Sequence, residues 1–163
     1  MKSVPVLVVL VLLVLLPLPA PGAPAVAFTR TASAGGVEVR VTYAPPEYFA
    51  LVQDSAGARR FAPEQQIVFL ISLDTHGGDL RSFDLVRNSR LRTRTAGGAV
   101  REYAPARWEA INDGSHHRSG ALIFPAVANG TRVIAPEVDS ITLVIAGLAG
   151  VPVRTFEWTL PVR

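Results

Sequence analysis

Apolar and polar residues alternate with a period of two in segment after segment of this chain, and that repeat constrains the fold more than any other feature. Val37, Val39, Val41 and Tyr43 interleave with Glu38, Arg40 and Thr42; Phe156, Trp158 and Leu160 interleave with Thr155, Glu157 and Thr159. Residues two apart lie on one face of a strand, so each segment predicts a half-buried strand. Ser89–Thr95 alternates too, with Arg90, Arg92 and Arg94 on one side, and Ser140–Ala146 places Ile141, Leu143 and Ile145 together. Gln66–Leu73 is instead an almost unbroken β-prone apolar run, which predicts a strand deep in a sheet.

Turn residues punctuate these segments. Ala44-Pro45-Pro46 ends one strand, Gly77-Gly78 follows another, and Ala96-Gly97-Gly98 makes a hairpin turn to Ala99–Tyr103. Asn112-Asp113-Gly114-Ser115 and Asn129-Gly130 read as further turns; the latter opens an Asn-Gly-Thr glycosylation sequon. Phe83–Val86 and Ala121–Phe124 read as short strands, while Glu47–Pro63 is irregular, with one helical turn or an edge strand around Tyr48–Val52. No convincing helical stretch follows residue 27. The expected fold is an all-β, antiparallel, immunoglobulin-like β-sandwich of about seven to nine strands, without the Cys…Trp…Cys marker of true immunoglobulin domains.

Residues 1–27 read as a cleaved export signal: Lys2, a Leu/Val-rich run from Val4 to Leu18, then Ala25-Val26-Ala27 as cleavage signature, with Ala23-Pro24-Ala25 as a second frame. The run is shorter than the roughly 20 residues of a membrane span. This leaves one domain, 28–163, expected to be secreted or periplasmic and free of a membrane span after cleavage. The chain has no cysteine, which excludes disulfides and thiolate metal sites. The 16 basic residues include Lys2 and face 13 acidic ones, so without Lys2 the excess is two. So small an excess gives no case for a nucleic-acid partner.

Three histidines carry the metal-binding expectation. Asp74 and His76 stand two apart at a strand end, and His116-His117 lies in a polar turn some forty positions on. If the two turns share a rim, imidazoles and the Asp74 carboxylate converge as ligands for Cu(II) or Zn(II). The plainer alternative has Asp74 capping its turn and the His pair solvated or stacked on Trp108. Ser115 and Ser119 supply triad residue types without a Gly-x-Ser-x-Gly elbow, and Glu109, Asp113, Asp79 and Asp84 are ordinary surface carboxylates, so no catalytic residue is assigned.

A strand ending in Leu73-Asp74-Thr75-His76, in an exported cysteine-free β-sandwich, resembles the periplasmic copper carriers of the copper-resistance family. The resemblance implies Cu(II) held by Asp74 and His76; this chain departs from the family in having Phe28 where the third ligand, a histidine at the mature N-terminus, stands, and in carrying the motif mid-chain rather than near the end. The pattern Leu-Asp-Thr-His…Trp-Glu…His-His-Arg-Ser-Gly is also similar to exported bacterial β-sandwich domains without an assigned activity.

The ladder of Arg90, Arg92 and Arg94, with Arg87 and Arg101 nearby, predicts a basic stripe. It suits an anionic polysaccharide, a lipid headgroup or an acidic envelope partner, while Trp108 and Trp158 read most simply as core anchors, with Trp108 alternatively lining a groove beside the His-His turn. A solvated strand face that discourages edge-to-edge pairing is the plainer reading of the ladder. The functional expectation is an exported, non-enzymatic binding or interaction module of the cell envelope; the alternative is a Cu(II)/Zn(II)-binding protein.

Overall fold

The computed structural model describes residues 24–163. Most of the expected signal, residues 1–23, lies outside the described residues. Ala25–Phe28 forms a short 3-10 turn that delivers Phe28 into the core, where its carbonyl accepts a hydrogen bond from Trp158 Nε1 at 2.9 Å.

The chain then runs through β1 (Thr29–Ala34), β2 (Val37–Tyr43), α1 (Pro46–Leu51), α2 (Ser55–Phe61) and β3 (Gln66–Thr75). A four-residue α3 (Leu85–Asn88) leads to β4 (Ser89–Thr95), β5 (Val100–Tyr103), β6 (Arg107–Asp113) and β7 (His117–Pro125). The two-residue strands β8 (Val127–Ala128) and β9 (Thr131–Arg132) flank the Asn129-Gly130 turn, and β10 (Val138–Ala146) and β11 (Val153–Thr159) complete the chain. Two antiparallel sheets result, ordered β1-β2-β3-β7-β6 and β11-β10-β4-β5. Val39, Val41, Phe69 and Leu73 from the first meet Leu91, Leu143, Phe156 and Trp158 from the second in one buried cluster. The arrangement is consistent with a β-sandwich, and the alternation supplies its reason: the apolar face of each strand leaves water, at roughly 25 cal/mol per Å² of apolar surface buried.

The unbroken apolar run of β3 has a separate cause, because both its faces are covered. Phe69, Ile71 and Leu73 face the core, whereas Val68 packs with Phe49 of α1, Phe61 of α2, Ala121 and Ile123 in a second cluster. The helical pair therefore roofs part of the outer face of the first sheet. It corrects the expectation of no convincing helix. Pro46 occupies a first-turn position where its missing N–H costs nothing, and Asp54 Oδ1 caps α2 by accepting from Gly57 N at 2.8 Å.

Two other expectations change. Leu85–Asn88 is a helical turn rather than a strand, because Asp84 Oδ1 accepts from Arg87 N at 3.0 Å while Leu85 anchors in the core. Asn112-Asp113 is the end of β6 and not part of a turn, since β6 pairs with β7 as far as Asp113↔Arg118 across an irregularity between Ala110 and Asn112.

Candidate functional site

The antiparallel register of β3 and β7 sets Asp74 directly opposite His117. His117 Nδ1 lies 2.7 Å from Asp74 Oδ1, and Ser72 Oγ donates to Asp74 Oδ2 at 2.9 Å. The two distant polar segments thus meet at one rim, joined also by Thr75 N donating to the His116 carbonyl at 2.9 Å. The His117 hydrogen bond, opposed by some desolvation and helped by Ser72, holds the Asp74 carboxyl below its usual range. An ionised carboxylate only accepts, so Nδ1 carries the proton of this hydrogen bond and Nε2 is the ring nitrogen left without a partner among the described residues. The His117 side chain is 68% exposed.

His76 follows the end of β3 and joins Asp74, His117, Glu38 and Ser33 around an open cleft of about 470 Å³. His116 does not line that cleft. It is exposed beside Asp79, whose carboxyl is pulled down to about 2, first by its hydrogen bonds with Arg81 and only marginally by His116. The rim therefore gathers Asp74, His76 and His117 and turns His116 elsewhere. Among the described residues no three His, Asp or Glu side chains are grouped to hold a metal ion.

Trp108, in β6, does not stack on the histidines. It lies under the Arg118 guanidinium, 5.5 Å from the ring centre, and against Gly120, where a Cβ would come within 2.8 Å of the indole. Arg118 itself is buried, donating to the Phe83 and Leu80 carbonyls at 2.6 and 3.1 Å and to Asp113 at 2.7 Å. It ties the loop after β3 onto β7.

Arg90, Arg92 and Arg94 stand exposed on the outer face of β4, as the alternation requires. Register places them beside Val144, Thr142 and Ser140 of β10, and Thr142 in turn beside Glu157 of β11. Arg92 pairs with Glu102 of β5, Arg90 donates to the Arg87 and Ser89 carbonyls, and Arg94 has no hydrogen bond or ion pair among the described residues. Arg101 stands opposite inward-facing Thr93 and so belongs to the other side of the sheet.

A feature the alternation does not announce lies at the other end of β2. Phe28, Tyr43, Ile134, Leu160 and Val162, with Pro45, Pro136 and Pro161, wall an apolar cavity of about 630 Å³ whose charged members are Glu47 and Arg132. Burial first, then the Glu47 charge, pushes the Tyr43 phenol up to about 12, so it stays a protonated donor. The signal in the sequence was the recurrence of apolar-proline punctuation at Ala44-Pro45-Pro46, Ile134-Ala135-Pro136 and Leu160-Pro161-Val162: each ends ladder pairing, and together they leave one end of the core open. Comparison with family models, with curated proteins and with solved structures finds no match for this chain.

Proposed function

We propose that the protein is an exported, non-enzymatic binding module of the cell envelope. In this reading residues 1–27 are removed and 28–163 form a single immunoglobulin-like β-sandwich whose bare sheet face takes an anionic glycan. The arginine row carries the reading. Three arginines recur at every second residue of one strand, on a face that among the described residues has no helical roof and Glu102 as its one ion-paired carboxylate. The strand fixes their Cα atoms at a spacing of about 6.8 Å, and guanidinium groups bind carboxylates and sulfates through paired N–H donors. The non-enzymatic part is supported by Ser72, which bonds to the carboxylate of the Asp74–His117 pair rather than to the imidazole, the reverse of a nucleophile–base–acid chain.

The test is titration with polygalacturonate and dextran sulfate at low and high salt. Binding that weakens with salt and falls at least about tenfold when Arg90, Arg92 and Arg94 are replaced by Glu supports the reading. Equal binding by that variant overturns it, and so does capture of an envelope protein by the wild type with no polyanion binding.

A second reading places Cu(II) or Zn(II) at the rim. It is favoured by the Asp74–His117 pair, because metal-ligating histidines commonly give their other N–H to a carboxylate. Asp74 would then orient the ring rather than ligate, leaving His117 Nε2 and His76 as donors. Titration of wild type and the His117→Ala and His76→Ala variants with each metal tests this; equal affinities in all three remove it.

A further inference from the structure

We propose that the apolar cavity at the Tyr43 end of the molecule is a binding site for a single-chain zwitterionic amphiphile. Its acyl chain would lie along the apolar wall, its anionic group at Arg132 and its ammonium at Glu47. The cavity has the size and character of a small-molecule site: about 630 Å³, bounded mainly by aliphatic, aromatic and proline side chains, with few polar groups converging on it. It is the open end of the core itself, since its floor residues Phe28 and Tyr43 belong to the buried cluster that includes Trp158.

The charges select the ligand. Glu47 and Arg132 line the same cavity, yet among the described residues no ion pair joins them and neither has another salt-bridge partner. An apolar wall edged by one exposed anion and one exposed cation, neither in an ion pair among the described residues, complements a ligand that has an apolar chain and both charges. A fatty acid leaves Glu47 unanswered, and an alkylamine leaves Arg132 so. The Tyr43 hydroxyl, kept protonated, adds a neutral donor at the wall. The site is separate from the arginine row, since none of Arg90, Arg92 and Arg94 lines the cavity and all three stand on the outer face of β4.

The experiment titrates the full chain with a medium-chain lysophosphatidylethanolamine below its micelle-forming concentration, following the summed fluorescence of Trp108 and Trp158, the latter 6.1 Å from the Tyr43 ring. A fatty acid and an alkylamine of the same chain length serve as comparisons. Saturable binding is expected, with the zwitterion tightest. Arg132→Ala should weaken the lysolipid and the fatty acid by about tenfold but not the amine, and Glu47→Ala should weaken the lysolipid and the amine but not the fatty acid. Ile134→Glu and Val162→Glu, both at half-exposed wall positions, should each abolish binding with the melting temperature preserved. Equal affinity for all three probes, or lysolipid binding that survives both wall variants, overturns the proposal. Failure of the wild type to bind any probe, with or without residues 1–23, overturns it as well.

Discussion

Arg118 shows how much a single side chain can hold. Its guanidinium joins two loop carbonyls, one carboxylate and one indole while nearly out of contact with water. Arg118→Ala therefore takes the Arg118 donor from the Phe83 carbonyl, leaves the Leu80 carbonyl with the Phe83 N–H alone, and is expected to cost about 2–4 kcal/mol in urea unfolding. Asp113→Ala removes a partner that is 56% exposed and should cost well under half as much. Asp74 gives a pH prediction of defined sign. Its folded carboxyl sits below the ordinary value of 3.8, so the contribution of the pair is present above that value and lost as pH falls through the lowered one. An NMR titration should show the Asp74 midpoint rising in His117→Ala, and less so in Ser72→Ala. Tyr43 has the opposite sign: its folded phenol titrates near 12, so burial of the neutral ring stabilises the fold up to the ordinary value of 10.0 and progressively less above it. Alkaline absorbance titration of Glu47→Gln should show most of that elevation retained, because burial is the larger cause.

Among the elements, β7 is the most exacting. Gly120 faces both the Glu109 backbone oxygen and the Trp108 indole, so Gly120→Ala must push one of them aside; a loss of about 1–3 kcal/mol on thermal unfolding is expected. Asp54→Ala, which uncaps α2, should cost about 1 kcal/mol. Strands such as β2, β4 and β11 were legible in the sequence because one face is wet and the other dry, and the period survives in the residues themselves. Of helices α1 and α2, six and seven residues long, only α1 was legible, and only as one of two alternatives around Tyr48–Val52, since fewer than two turns display too little of a 3.6-residue repeat. The Phe83–Val86 segment misled because its apolar residues suit a strand, whereas the deciding interaction is the side-chain cap from Asp84. The meeting of Asp74 with His117 was legible only as a condition. It depends on β3 pairing with β7, and pairing between strands forty residues apart leaves no local mark. The apolar cavity escaped for a related reason: its walls come from four separated segments, each of which reads alone as an ordinary strand end.

At the scale of the whole molecule, one open side of the two-sheet stack is stitched by arginine. Arg30 Nε donates to the Glu157 carbonyl at 3.0 Å, and Arg154 donates to the Ala34 and Leu148 carbonyls at 2.8 and 2.7 Å, so both link β1 to the β11 side. Arg154 is buried with no carboxylate paired to it among the described residues, and its own burial lowers its pKa. Arg154→Ala should cost about 2–4 kcal/mol and accelerate hydrogen exchange in the amides of β1 ahead of those of β3, whose neighbours β2 and β7 remain in place. Uniform acceleration across both sheets would show instead that the seam and the core open together.

Strand β2 contributes Val37 to the histidine cleft and Tyr43 to the apolar cavity. Seven residues of extended backbone make a strut of about 20 Å, clamped on both flanks by β1 and β3. The histidine cleft and the apolar cavity are thus held a strand's length apart, and neither opening can shift toward the other without β2 slipping against both of its neighbours.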